Sequence, residues 1–206
     1  MPEVIISGWL IGIAIALPVG PVITELIRRG LAGGFLQGWL VGLGAAVSHA
    51  VLVALTLLGV VTLLDRPLCH IVLGAGGVLV LGSLGLDAFR AGAAPPAPQP
   101  TPPTGHPFVA GFSIGIANPI TLLWFLTVGG GLIVAQGGGR TAGLAVAFGA
   151  SFVIGVLCWD TVVATLAGYG RRWMGGRTLR ALNLIAGMIF LGFAIRLLVR
   201  LPALLG

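Results

Sequence analysis

Two prolines and a glycine interrupt an apolar run that is otherwise long enough to cross a bilayer: LPVGPVITELIRRG, residues 17–30. Hydrocarbon offers no hydrogen-bond partner to a freed backbone N–H or C=O. A break in such a run must therefore be sheltered by protein or by a water-filled cavity. Pro21 supplies no N–H and clashes with the carbonyl four residues back, Pro18 adds a second defect, and Gly20 opens access to the backbone. Freed carbonyls suit a cation and a half-helix N-terminus suits a carboxylate. The alternative reading is a kink filled by neighbouring helices or ordered water.

The rest of the 206-residue chain has the same character: 57% of it is hydrophobic, 8% is charged, and mean hydropathy is +1.11. That is too little charge to coat a soluble domain and suits helices facing lipid. All 11 basic side chains are arginines, and they stand between the apolar runs as an orientation signal does, so nucleic acid is not an expected partner. Cys69 and Cys158 read as buried small residues. The 35 glycines point to close helix–helix packing, within one unit or in a homodimer.

At roughly 20 residues per crossing, the apolar runs predict six helices, near residues 4–27, 35–60, 68–86, 108–133, 141–167 and 182–201. Residues 91–107, AGAAPPAPQPTPPTGHP, carry seven prolines and form a linker rather than a helix. The expected domains are a first three-helix repeat at 1–90, the linker at 91–107 and a second repeat at 108–206. Breaks recur at Gly20-Pro21 and Asn118-Pro119, and Gly44 precedes His49 by the spacing at which Gly155 precedes Asp160. An odd number of helices per half makes the repeats inverted. The predicted fold class is an all-α polytopic membrane protein with six transmembrane helices in two inverted three-helix repeats. Arg28, Arg29, Arg90, Arg171, Arg172, Arg177 and Arg180 would share the linker's face. Arg66, Arg140 and Arg200 would lie opposite, so the positive-inside rule puts the linker in the cytoplasm and both termini outside.

Ionisable groups inside membrane segments are expensive and point to function. His49 and Asp160 are such groups, with proton coupling, charge pairing with a cationic substrate, or a mutual packing contact as the open readings. Glu25 stands one turn before Arg28 and Arg29, a spacing that permits an interfacial ion pair. Pro18, Gly20, Pro21, Asn118 and Pro119 are the candidate substrate-binding residues, since Asn118 both donates and accepts. No metal-ligand, nucleotide-binding or nucleophile–base motif is present in the sequence, so neither an enzyme nor a cofactor is expected.

PVGPV at Pro18–Val22, IRRGLAGG at Ile27–Gly34 and GLGAAVSHA at Gly42–Ala50 resemble the first signature region of the lysine-exporter (LysE/RhtB) family of amino-acid translocators. GFSIGIANPITLLWF at Gly111–Phe125 resembles the second, and LNLIAGMIFLGFAIRLL at Leu182–Leu198 the last helix. The resemblance implies an inner-membrane secondary transporter that exports amino acids or close derivatives, driven by the proton-motive force through alternating access. Its partners would be an amino acid, protons and membrane lipids. The chain departs from the family pattern at Ser48-His49, where Ala-Asp is common, at Asp160, where an aromatic or apolar residue is usual, and at Glu25. Thr121 follows Asn-Pro without the lysine seen nearby in many relatives. An acidic group shifted from the second helix to the fifth would account for two of these departures. A carrier for a cation or other small solute, and a non-transporting membrane scaffold or sensor, are the rival functions.

Overall fold

A computed structural model describes residues 1–18, 20–58, 67–93, 103–125, 142–170, 172 and 176–200. Among them the regular structure is helical: α1 (Pro2–Ala16), α2 (Pro21–Gly33), α3 (Phe35–Leu57), α4 (Pro67–Ala93), α5 (Pro107–Ala117), α6 (Pro119–Trp124), α7 (Ala142–Gly170) and α8 (Gly176–Arg200).

Proline and glycine set the boundaries. Pro21 opens α2 at the first helical position, where its missing N–H costs no intrahelical bond. Gly34 ends α2 at φ 89°, a conformation that glycine adopts without strain, and its N–H closes on Gly30 O at 2.8 Å. Asn118 leaves α5 with extended backbone, as a residue before proline prefers, and Pro119 starts α6. The helix α4 runs to Ala93, three residues into the stretch read as linker.

The helix α3 packs against α5, α7 and α2, while α1 lies along α7 and α4 along α8. Two of these crossings are built alike. On α1–α7, a Cβ at Gly12 would strike the Phe152 carbonyl and one at Gly155 the Trp9 carbonyl. On α5–α3, a Cβ at Gly111 would strike the Val41 carbonyl and one at Gly44 the Phe108 carbonyl. Glycine thus lets backbone approach backbone, the device by which helices associate where lipid removes the hydrophobic drive. Side-chain placement is that of a membrane protein. Ile6, Leu10, Leu79, Ile154, Leu166 and Met188 face outward, while Glu25, Arg29, Ser48 and Asp160 are buried.

The expected six membrane-crossing helices in two inverted repeats are not what the described residues form. Two helices, Phe35–Leu57 and Gly143–Gly170, are long and apolar enough to cross a membrane; a third is gained only by counting α1 and α2 as one span bent by 75°. Run length in sequence counts apolar residues through a break, whereas a crossing needs a continuous helix. Pro18 and Pro21 divide the first run into helices of 15 and 13 residues, and Asn118-Pro119 leaves α5 with 11. The fold is an all-helical bundle with two such spans, or three with the bent pair, among the described residues. Residues 59–66, 94–102 and 126–141, with Arg66 and Arg140, lie outside those residues, as do Arg171 and 201–206. Cys158, expected to be buried, is a free thiol on the outward face of α7, and the side chain of Cys69 is not among those described.

Candidate functional site

The α1–α2 break faces a cavity of about 480 Å³. Pro18, Gly20 and Pro21 line it from the break, Asn118 from the break between α5 and α6, His49 from α3 and Asp160 from α7. Six candidates from four separate parts of the sequence therefore share one space. Pro119 starts α6, but its side chain lies outside the described residues.

The break leaves backbone groups without helical partners. Pro18 has no N–H to donate to the Ala14 carbonyl, and Pro21 none for Leu17. Gly20 caps α2 without a side-chain hydrogen bond. Its carbonyl accepts from both the N–H and the Oγ1 of Thr24, each at 2.9 Å. A Cβ at Gly20 would meet nothing closer than the Pro18 carbonyl at 4.0 Å, so the start of α2 is open to the cavity.

His49 is 7% exposed, with Nδ1 2.6 Å from the Ala45 carbonyl. A carbonyl only accepts, so Nδ1 carries the hydrogen, and in the neutral ring Nε2 is the acceptor. The rings of Phe125 and Phe152 flank the imidazole at 6.2 and 6.0 Å. Trp124, which lines the cavity, stacks on Phe152 at 5.0 Å. Asp160 is 1% exposed, and its Oδ2 has no hydrogen-bond partner among the described residues.

Glu25, Arg28 and Arg29 stand apart from the cavity lining as a buried cluster. Arg28 donates to Glu25 through Nε at 2.8 Å and Nη2 at 3.1 Å, and Arg29 through Nε at 2.6 Å. Arg29 also donates from Nη1 to the Gly105 carbonyl at 2.8 Å and from Nη2 to the Thr104 carbonyl at 2.9 Å. The end of the proline-rich stretch is thereby held against α2. Thr104 reaches on to Asp87 of α4 at 3.1 Å.

Sequence reasoning did not single out Gly42, Trp124 or Phe193 as part of the site. Gly42 faces Asp160, and Trp124 and Phe193 are cavity walls. Thr121, another wall residue, had a signal: it is the first polar side chain after the Asn118-Pro119 break. Nothing in the apolar pattern of α8 distinguishes Phe193 from its neighbours. Among the described residues, no group of three His, Cys, Asp or Glu side chains could hold a metal ion.

The chain is similar over most of its length to two bacterial proteins. One is YcgF of Bacillus subtilis (strain 168), provisionally named an amino acid efflux protein, 26% identical over 194 residues that cover 93% of each chain. The other is the chemotactic transduction protein ChpE of Pseudomonas aeruginosa (strain PAO1), 30% identical over 174 residues, 84% of this chain and 86% of that one. No solved structure matches. The sequence profile of LysE type translocators matches residues 13–201, nearly the whole chain, and the protein is a multi-span membrane protein that belongs to that family.

Proposed function

We propose that the protein exports amino acids or close derivatives across the bacterial inner membrane by proton-driven alternating access. One observation carries the reading: both helix breaks and two buried polar side chains, His49 and Asp160, converge on a single cavity. Broken helices around a central site, with N-terminal and carbonyl ends turned to the ligand, are the architecture by which secondary transporters bind small charged solutes. Pro18, Gly20, Pro21, Asn118 and Pro119 form the substrate site, and His49 and Asp160 are its proton-linked or substrate-pairing groups. The similarity to YcgF, provisionally named an amino acid efflux protein, supports the substrate class.

The linker face is cytoplasmic and both termini are outside. In support, Arg29 holds the Thr104 and Gly105 carbonyls and Arg180 donates to the Gly92 carbonyl at 3.0 Å, which gathers arginines at the two flanks of the linker. Efflux of radiolabelled amino acids from loaded proteoliposomes under an imposed pH gradient tests the function. Gradient-dependent efflux above empty-protein controls is the expected result. No difference across a broad amino-acid panel rejects the assignment.

The similarity to ChpE supports a second reading, a membrane sensor whose helix breaks serve packing. Cysteine labelling at position 20 separates the two. Accessibility that alternates between faces supports transport, and inaccessibility from both faces supports the sensor.

A further inference from the structure

Asp160 and the start of α2 give the cavity two unlike poles. At one pole is Asp160, a cavity-lining residue 1% exposed whose Oδ2 has no hydrogen-bond partner among the described residues. A buried carboxylate oxygen without a partner is costly and calls for a donor from outside the protein's own side chains, which a ligand ammonium would supply. Gly42 makes the placement possible, since a Cβ there would lie 2.7 Å from Asp160 Cβ and 3.2 Å from its Oδ2.

At the other pole is the uncapped N-terminus of the 13-residue α2, whose Val22 and Ile23 line the same cavity. Pro21 has no N–H and the Thr24 N–H is spent on Gly20 O, so the amides of Val22 and Ile23 are the first-turn donors. They sit at the positive end of the helix and favour an anion.

The rest of the lining includes the apolar Ile11, Ile15, Val156, Trp124 and Phe193 and the polar His49, Asn118 and Thr121. Asp160 is the one acidic residue among the described lining residues, and no arginine is among them. Glu25 lies on α2 as well, but its carboxylate is spent on Arg28 and Arg29.

We infer that the cavity takes an α-amino acid zwitterion with an uncharged, apolar side chain, its ammonium on Asp160 and its carboxylate on the first turn of α2. This rests on the transport reading above and narrows its substrate class. A basic amino acid would bring a second cation to a lining with no second acid, and an acidic one a second anion with no arginine to meet it. An unpaired charge in such a space is strongly disfavoured. Asp160 is thereby the specificity-determining residue and Gly42 its positioning residue, which leaves His49 as the proton-linked group.

The test is equilibrium displacement of radiolabelled L-leucine from the full-length protein in lipid nanodiscs. The competitors are L-lysine, L-glutamate, 4-methylpentanoate, which lacks the ammonium, and leucinamide, which lacks the carboxylate. Unlabelled leucine is expected to compete about ten-fold or more better than each of the four. Asp160→Asn is expected to lose about ten-fold in leucine affinity and, with it, the preference for leucine over 4-methylpentanoate. A merely structural role would leave that preference intact. Gly42→Ala is expected to weaken the same preference by displacing Asp160. If Asp160→Asn does not fold, that variant and the competitor series on the parent still decide. Lysine or glutamate competing as well as leucine overturns the inference and leaves amino-acid transport standing, as does an unchanged preference in both variants. Absence of saturable binding by any amino acid overturns both.

Discussion

Arg29 Nε lies 2.6 Å from Glu25 Oε1, one helical turn away, with both side chains almost wholly buried. The other two guanidinium nitrogens hold carbonyls of residues 103–105, so one arginine neutralises a buried acid and fastens the linker's end to α2. The spacing of Glu25, Arg28 and Arg29 permits a surface ion pair equally well. Its burial, and the part played by Thr104 and Gly105, come from the tertiary fold.

Removing Glu25 leaves two guanidinium groups buried without their counter-charge. Glu25→Leu is expected to lower stability by about 3–5 kcal/mol, because a broken buried pair strands its partner's charge. Arg29→Ala is expected to destabilise similarly and, in addition, to expose residues 103–106 to protease. Thermal unfolding in detergent and limited proteolysis read the two effects. A Glu25→Leu protein that melts with the parent would show that the cluster contributes nothing net.

Glycine substitutions should divide by what a Cβ would meet. At Gly12 and Gly111 it would strike the backbone carbonyls of Phe152 and Val41. Alanine at either position is expected to cost about 1–3 kcal/mol through forced backbone shifts. At Gly192 of α8 nothing lies within 4 Å. There alanine is expected to be neutral or to stabilise by about 0.5–1 kcal/mol through helix propensity. Equal melting shifts at Gly12 and Gly192 would count against close packing as the reason for glycine.

Phe152 stacks on Trp124, meets Phe125 edge-on at 5.8 Å, and flanks His49. Phe152→Ala is expected to cost about 3–5 kcal/mol, and Phe152→Leu less, since leucine refills most of the cavity. Denaturant or thermal unfolding of the two variants supplies the comparison. A smaller loss for alanine than for leucine would contradict it.

His49→Phe suits an aromatic-lined position and is expected to fold while losing the response of efflux to a pH gradient. Gradient-driven efflux is expected to fall by about ten-fold toward the rate seen without a gradient. Unchanged gradient dependence in a folded His49→Phe protein would remove His49 from coupling.

The candidate site was legible in outline because its parts violate the membrane rules locally. A proline-broken apolar run and an ionisable residue within such a run are each visible without coordinates. Pro18, Gly20, Pro21, His49, Asn118 and Asp160 carry those marks, and the fold brings all six to one cavity. Phe193 and Gly42 carry no such mark. An apolar wall residue and a packing glycine look like any other of their kind in this composition.

The span count failed for a related reason. Hydropathy sums over residues and ignores whether their N–H and C=O groups form one uninterrupted ladder. The sequence alone determined an apolar helical chain of the translocator family and the positions at which its helices break, because proline's missing N–H and ring clash act within one turn. Only the tertiary structure decided that the broken ends converge, that Asp160 lies against Gly42 and that Arg29 bridges Glu25 to the linker. Those relationships depend on helices that meet far apart in the chain, through side-chain volumes and backbone contacts that local sequence does not encode.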